Sequence, residues 1–344
     1  MGIKKLTTRF VTSPVRKYAV ERAVTHLKGP IHVTCKRNEF VVLSFMKNAE
    51  LHLEHFVEHH LEIGAKQIFL LDNGSTDRSL ALARKYSQVT LLQCELPYKY
   101  YKYEFRRFLF RRCAKNCWGL LADIDERFCH PYSDRISMSS FLQYLNHHNY
   151  TAVLSQMLDM FPAGPASSWP GDGKELVQQS CWYELEHLQR KKLKRSRRNN
   201  LVDGSLFTIF GGIRVSGFKM DNCPNLTKYP LLFSDGKVHP AEGSSHRIRG
   251  GRLADTTCLL QHYKFHRDFE SQCRKIVEEK SYFKDSLEYR QYLDALETPG
   301  GLSLKTKNSR KFSHVNQLIH ENLLVVSNAF QKYVHENSTS KKAG

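Results

Sequence analysis

The pattern of apolar and polar positions changes character at Glu39. Before it, Leu6, Phe10, Val11, Tyr18, Ala23 and Leu27 are scattered among Lys and Arg. That amphipathic spacing suits a helix lying on a membrane surface or one packed on the body of the protein. After it, short apolar runs alternate with helical periodicities. Residues 40–45 (FVVLSF) have the length and continuity of a buried strand. Asn48 is placed to cap a helix from Ala49, whose Leu53, Phe56, Val57 and Leu61 share a face and which Gly64 ends. The pattern then predicts a strand at 67–71, a short helix at 77–86, a strand at 89–93, a helix over 104–117 and a fourth strand at 119–122. A helix at 140–148 precedes a fifth strand at 151–157. Beyond Met160 the regularity fades. Residues 161–173 read as a loop, 190–198 (RKKLKRSRR) as an exposed mobile basic run, 206–210 and 257–261 as strands, and 268–280, 286–296 and 313–335 as helices. The last eight residues read as a disordered tail.

Strands alternating with helices imply an α/β fold, with a mostly parallel sheet covered on both faces and C-terminal helices. In such sheets ligands gather at the carboxyl ends of the strands. Four polar clusters fall at that edge. Asp123-Ile124-Asp125-Glu126 follows the fourth strand, and two carboxylates one residue apart offer hard oxygen ligands to Mg²⁺ or Mn²⁺. Asp72-Asn73-Gly74-Ser75-Thr76-Asp77 follows the second, where a strand-end Asp can accept from a ribose or a base edge; the same hexapeptide also suits an ordinary strand-to-helix turn. Lys47, Asn48 and Glu50 follow the first strand, where helix amides can meet phosphate. Asp159 follows the fifth and is a candidate general base, equally a capping or ion-paired Asp. Among seventeen histidines, His262 and His246 are the candidates to complete a metal shell, His262 slightly ahead.

Composition narrows the partner class without naming it. A net charge of +18 asks for an anion: nucleotide, phosphorylated substrate, anionic lipid surface or nucleic acid. No apolar run long enough to span a bilayer occurs, and the N-terminus lacks the apolar core of a secretory signal. Nine cysteines without a C-x-x-C pair read as reduced thiols in a cytoplasmic protein. The acceptor sequence Asn73-Gly74-Ser75 lies in a turn needed for ligand, which weighs against a luminal location.

Taken together these motifs resemble the family-2-like glycosyltransferases of GT-A fold, a Rossmann-like nucleotide-diphospho-sugar transferase architecture. The similarity is to the bacterial subgroup with a K-N-E-like motif, D-N-x-S-x-D and D-x-D-E. It rests on Met46-Lys47-Asn48-Ala49-Glu50, on residues 72–77, and on Trp118 through Glu126. It continues through Leu158-Asp159-Met160, Gly211-Gly212-Ile213-Arg214, residues 226–231 and residues 260–264, covering about 38–296. Two departures stand out: Ala49 separates Asn48 from Glu50, and Arg127 stands where the family usually has Phe. The resemblance implies metal-dependent glycosyl transfer from a nucleotide-diphosphate sugar to a saccharide or glycoconjugate hydroxyl, with inversion, in polysaccharide or glycoconjugate synthesis. Asp123 and Asp125 would lie at the metal. Asp72 and Asn73 would lie at the nucleoside, and Arg214 and Lys228 at phosphate or an acidic acceptor. The expected organisation is a basic extension (1–37), a GT-A domain (38–300) and a C-terminal helix with tail (301–344), in a cytoplasmic protein with peripheral contact to the inner face of the membrane. Three rivals remain. A nucleotidyltransferase would need a Gly-rich loop after the first strand, which is absent. A nucleic-acid or polyanion binder has the charge but no recognisable motif. An inactive glycosyltransferase-like chain would keep the pattern.

Overall fold

A computed structural model describes residues 13–194, 199–200, 204–221, 223–241, 245–280, 283–298 and 301–338. The first twelve residues of the basic extension, positions 195–198 of the basic run and the expected tail beyond 338 lie outside the described residues. The strands that matter here are β1 (Thr25–Lys28), β2 (Phe40–Met46), β3 (Gln67–Asp72), β4 (Val89–Gln93), β5 (Trp118–Leu121), β6 (Glu126–Cys129), β7 (Ala152–Asp159), β8 (Thr227–Phe233) and β9 (Gly251–His262). They form one ten-stranded sheet in the order β1-β4-β3-β2-β5-β8-β7-β9, ending in a two-residue strand, Asn199–Asn200, while β6 also pairs with β9. Five of the nine pairings are parallel, including β4-β3-β2-β5 and β7-β9.

Five helices cover the first half of the sheet: α1 (Ser13–Ala23), α2 (Glu50–Glu62), α3 (Ser79–Ala83), α4 (Tyr98–Cys113) and α5 (Met138–His147). Successive strand residues point to opposite faces. Phe40, Val42, Ile68 and Leu70 therefore join one core with Phe56 of α2 and Phe141 of α5. Val41, Leu43, Phe69 and Leu71 join another with Phe105 and Leu109 of α4 and Val20 of α1. With both faces covered, neither strand can alternate, and the runs read as continuously apolar. A third, aromatic core (Trp169, Phe218, Phe265, Phe269, Tyr292) lies under α6 (Phe269–Glu279) and α7 (Phe283–Leu296). No helix among the described residues is long and apolar enough to cross a membrane.

Three elements depart from expectation. The antiparallel strand β8 sits between β5 and β7, making the sheet mixed. Pro230 hides it in the sequence, because proline is normally absent from central strands; here it falls where the register with β7 shifts, between Lys228 and Leu231. The helix α4 starts at Tyr98, directly after Pro97, rather than at 104. The helix expected over 313–335 is two pieces, Gln317–His320 and α8 (Asn328–Asn337). Between them Asn322 takes φ +58°, and Val325 exchanges hydrogen bonds with Thr257 of β9. Leu323, Leu324 and Phe330 are buried in the main core, so this segment is part of the body.

Candidate functional site

Register explains why distant acids and a histidine meet. In the sheet His262 pairs with Asp159 on β7 and with Glu126 on β6. Asp123 and Asp125 stand in the short link from β5 to β6, at the same carboxyl edge. The His262 ring lies between two carboxylates: Nδ1 is 2.5 Å from Asp159 Oδ1, and Nε2 is 3.1 Å from Asp125 Oδ2. Arg214 grips Asp159 with two hydrogen bonds of 2.8 Å, from Nε and Nη2. A glycine turn delivers that guanidinium: Gly211 and Gly212 take φ +90° and +67°, and a Cβ on Gly211 would stand 2.6 Å from the His187 carbonyl oxygen.

A second knot surrounds Asp123. Lys228 of β8 donates to Asp123 Oδ2 at 2.6 Å and also to the buried Glu126. Arg106 of α4 approaches Asp123 Oδ1 at 3.4 Å, and Glu126 accepts the Asp123 backbone N–H at 3.0 Å. Lys102, one turn earlier on α4, lies in the same field. The side chains of Asp123 and Asp125 keep 39% and 27% exposure, whereas Asp159 and Glu126 are sealed at 2% and 1%. Only the first two can meet a ligand without rearrangement.

The charges sort accordingly. Burial opposes ionisation of Asp123, but Lys228 and Arg106 overcome it and hold the carboxyl at about 2. Burial likewise opposes Asp125, and His262 beside it wins, keeping it well below the ordinary carboxylate value. Asp159 is held low against burial by Arg214 and His262. Glu126 goes the other way: burial, with Asp123 and Asp125 nearby, raises it in spite of Lys228. Burial works to lower His262, yet Asp125 and Asp159 raise it, since each ring nitrogen stands opposite a carboxylate, Nδ1 at Asp159 and Nε2 at Asp125. Behind Asp125, burial lowers His52, His55 and His266 to about 3, a neutral wall.

The structure brings together Asp123, Asp125, Asp159, Arg214, Lys228 and His262. His246 lies in the field of Lys228, Asp123 and Arg106, but its Nδ1 is 2.6 Å from the Thr227 carbonyl oxygen, and burial and Lys228 lower it to about 4. Asp159 is buried and fully engaged, a poor position from which to take a proton. The residues after β2 and β3 are also engaged, but with one another. Asn48 is not a side-chain cap: it has φ +51°, and its Oδ1 accepts the Thr76 N–H at 2.8 Å. The amides of Asn48, Ala49 and Glu50, expected to meet phosphate, donate to Ser75, Ser79 and Asp77. Glu50 pairs with Arg78. Asp72, fully buried, accepts from the Gly74 and Ser75 amides and from Gln93. Asn73 donates to the Cys94 and Leu96 carbonyls, so its amide nitrogen is enclosed in the folded chain. Lys47 is exposed. Glu126, Arg106 and Lys102 escaped the sequence reading as site residues. Adjacency to the acidic pair could have found Glu126, but nothing distinguishes Arg106 from Arg107, Arg111 and Arg112 along α4.

Asp125 and His262 could together offer two ligand atoms to a metal. Among the described residues, only Glu184, Glu186 and His187 bring three metal-ligating side chains within 4.8 Å of one another, and two of these are exposed.

No family model matches the chain, and no curated protein matches it. Among solved structures the chain is similar to a crystal structure of a 4-diphosphocytidyl-2C-methyl-D-erythritol synthase, at 7% identity and a TM-score of 0.25, over 84% of this chain and 99% of that one. A likeness that loose carries no argument about activity.

Proposed function

We propose that the protein is a metal-dependent glycosyltransferase of GT-A type, moving a sugar from a nucleotide-diphosphate donor to a saccharide or glycoconjugate hydroxyl. One observation carries the reading: Asp125 Oδ2 and His262 Nε2 face each other at 3.1 Å on the carboxyl edge of the sheet, with Asp159 on the far imidazole nitrogen. Imidazole beside carboxylate is a donor set that accepts Mn²⁺, with Mg²⁺ served by the carboxylates alone. A carboxylate on the second nitrogen is the usual support of a metal-binding histidine, fixing its tautomer and orientation. Asp125 and His262 would hold the ion, which when bound supplies Lewis-acid stabilisation to a departing diphosphate.

The chain's own groups do the rest. Lys228 and Arg106 contact Asp123, Lys102 lies in the same field, and their charge would favour a diphosphate beside Asp123. Asp159 holds His262, and Arg214 holds Asp159. A carboxylate so enclosed positions its neighbour and is too weak a base for an acceptor hydroxyl. Asp159 is therefore not assigned the role of base in the proposal.

Thermal shift across a panel of nucleotide sugars, with and without Mn²⁺, tests the reading. One donor should stabilise the wild type only with metal, and Asp125→Asn should lose that response. No response to any donor, or a response indifferent to metal, would overturn it.

A further inference from the structure

On the face of α1 and α4 remote from the acidic knot, the structure gathers cations and exposed apolar side chains from three elements. Val20 of α1 is buried in the core that α1 shares with α4, with Ala19 and Ala23 packed against that core. The opposite stripe is not polar. Val15 and Tyr18 are 55% and 59% exposed, the most exposed large apolar side chains among the described residues. Arg22, one turn on, donates to the Tyr18 hydroxyl at 2.9 Å. A helix with apolar residues on both faces has one partner in the fold and a second to find.

The charges beside that stripe say what the second partner is. Between α1 and α4 runs a cleft of about 210 Å³, lined by Lys17, Arg107, Phe108, Arg111 and Arg112, with Glu21 and Glu104. That is smaller than a pocket that encloses a drug-sized molecule. Arg111 and Arg112 are exposed. Arg249, on the neighbouring strand Ile248–Arg249, extends the cluster; burial, then Arg107, Arg249 and Arg111, disfavour the charged form of His239. In the cleft itself two acids stand against four cations. Glu21 pairs loosely with Lys17 at 3.7 Å, and Glu104 is buried, its carboxyl pushed upward by burial.

We propose that the α1–α4 face docks on an anionic lipid bilayer, with Val15 and Tyr18 entering the headgroup region and Arg107, Arg111 and Arg112 meeting lipid phosphates. Like charges crowded with few counter-charges favour an anionic surface. Exposed Val15 and Tyr18 on the adjoining helix favour an interface with an acyl side, which a free phosphate lacks and which Val15, unlike an aromatic platform for bases, suits. This inference stands independently of the acidic knot and of the donor.

Co-sedimentation of the full chain with phosphatidylcholine vesicles, with and without phosphatidylserine, tests it. Binding should require phosphatidylserine and fall with salt. Each basic residue near such a surface contributes about fivefold, so Arg111→Glu with Arg112→Glu should weaken binding by on the order of 25-fold or more. Val15→Ser with Tyr18→Ser should weaken it at unchanged charge. Lys191→Glu with Lys192→Glu, the same charge change on the exposed ribbon Leu188–Lys192, should leave it within about twofold, since screening confines the effect to the docked face. Far-ultraviolet circular dichroism and melting temperature identify any variant that fails to fold. No binding to phosphatidylserine vesicles, equal binding to neutral ones, or equal loss in the ribbon variant would each overturn the proposal.

Discussion

Two polar clusters occupy the same edge of one sheet, and they use their charge in opposite ways. After β2 and β3, the loops at 47–50 and 72–79 answer each other bond for bond: Asn48 takes the Thr76 amide, Asp77 and Ser79 take the amides at 49–50, and Asp72 takes those of its own turn. This is a staple between two strand ends. Around the ends of β5, β7 and β9 and the start of β8, the groups come from six separate elements, with Asp123 and Asp125 partly exposed between cations that hold them ionised. In the sequence both clusters are short polar motifs behind apolar strands. Asking where each donor and acceptor is spent separates a folded turn from a place where a ligand can compete.

The largest expected effect breaks the open cluster at its metal-facing acid. Asp125→Asn keeps the shape and removes the charge, so several kcal/mol of Lewis-acid stabilisation should vanish with the ion, about 10³-fold in turnover. Steady-state transfer with the donor found by thermal shift measures it. Turnover within a factor of a few of wild type would show that the exposed acids are not the site. The next effect is on stability. Arg214→Ala strips the partner from a buried carboxylate and should cost about 3–5 kcal/mol in urea unfolding, most of it recovered by adding Asp159→Asn. A loss that the second substitution leaves untouched would mean that Arg214 acts through packing alone.

How much of this was readable in the chain depends on distance along it. The first four parallel strands were plain, because 40–46, 67–72, 89–93 and 118–121 are buried on both faces and read as unbroken apolar runs. The pair Asp123 and Asp125 was legible from its place behind such a run. The contacts of His262, only slightly ahead of His246 as a candidate, were not, since they rest on the register of β9 against β6 and β7, which no local pattern encodes. Strand β8 was masked by Pro230, although its Lys228 was a candidate through the family resemblance, and Arg106 was masked by three other arginines on its helix. The motif at 72–77 was visible too, but its hydrogen bonds go to residues 48–50, and only the fold shows that they are spent.

A smaller effect sharpens the contrast through pH. Without metal, His262 has a folded value raised above the ordinary imidazole value of 6.5, so its contribution is complete below that value and is lost as pH rises through the raised one. Asp125 and Asp159 are depressed below 3.8, so theirs is present above that value and lost as pH falls through the depressed ones. The trio therefore stabilises most between 3.8 and 6.5. Metal reverses the alkaline side: Mn²⁺ needs the neutral imidazole, so its affinity should rise about tenfold per pH unit until His262 has lost its proton, and then level. Calorimetric titration of Mn²⁺ in buffers of different ionisation heat should show about one proton released. His262→Gln should abolish both the slope and the release; a slope that survives in this variant would assign the proton elsewhere.

The smallest effect belongs to the staple and decides what the comparison is worth. Asn48→Ala removes the acceptor of the Thr76 amide and puts an alanine at φ +51°, costing on the order of 1–2 kcal/mol. Chemical denaturation should register that loss. Donor affinity at a temperature where the variant is folded should stay within about twofold, because the amides beside Asn48 remain capped by Ser79 and Asp77 and no charge near Asp123 has moved. If donor affinity falls instead by an order of magnitude or more while the fold holds, the loops at 47–50 and 72–79 are part of the binding surface. Their closed hydrogen bonds would then be the resting state of a nucleoside site, opened when the donor arrives.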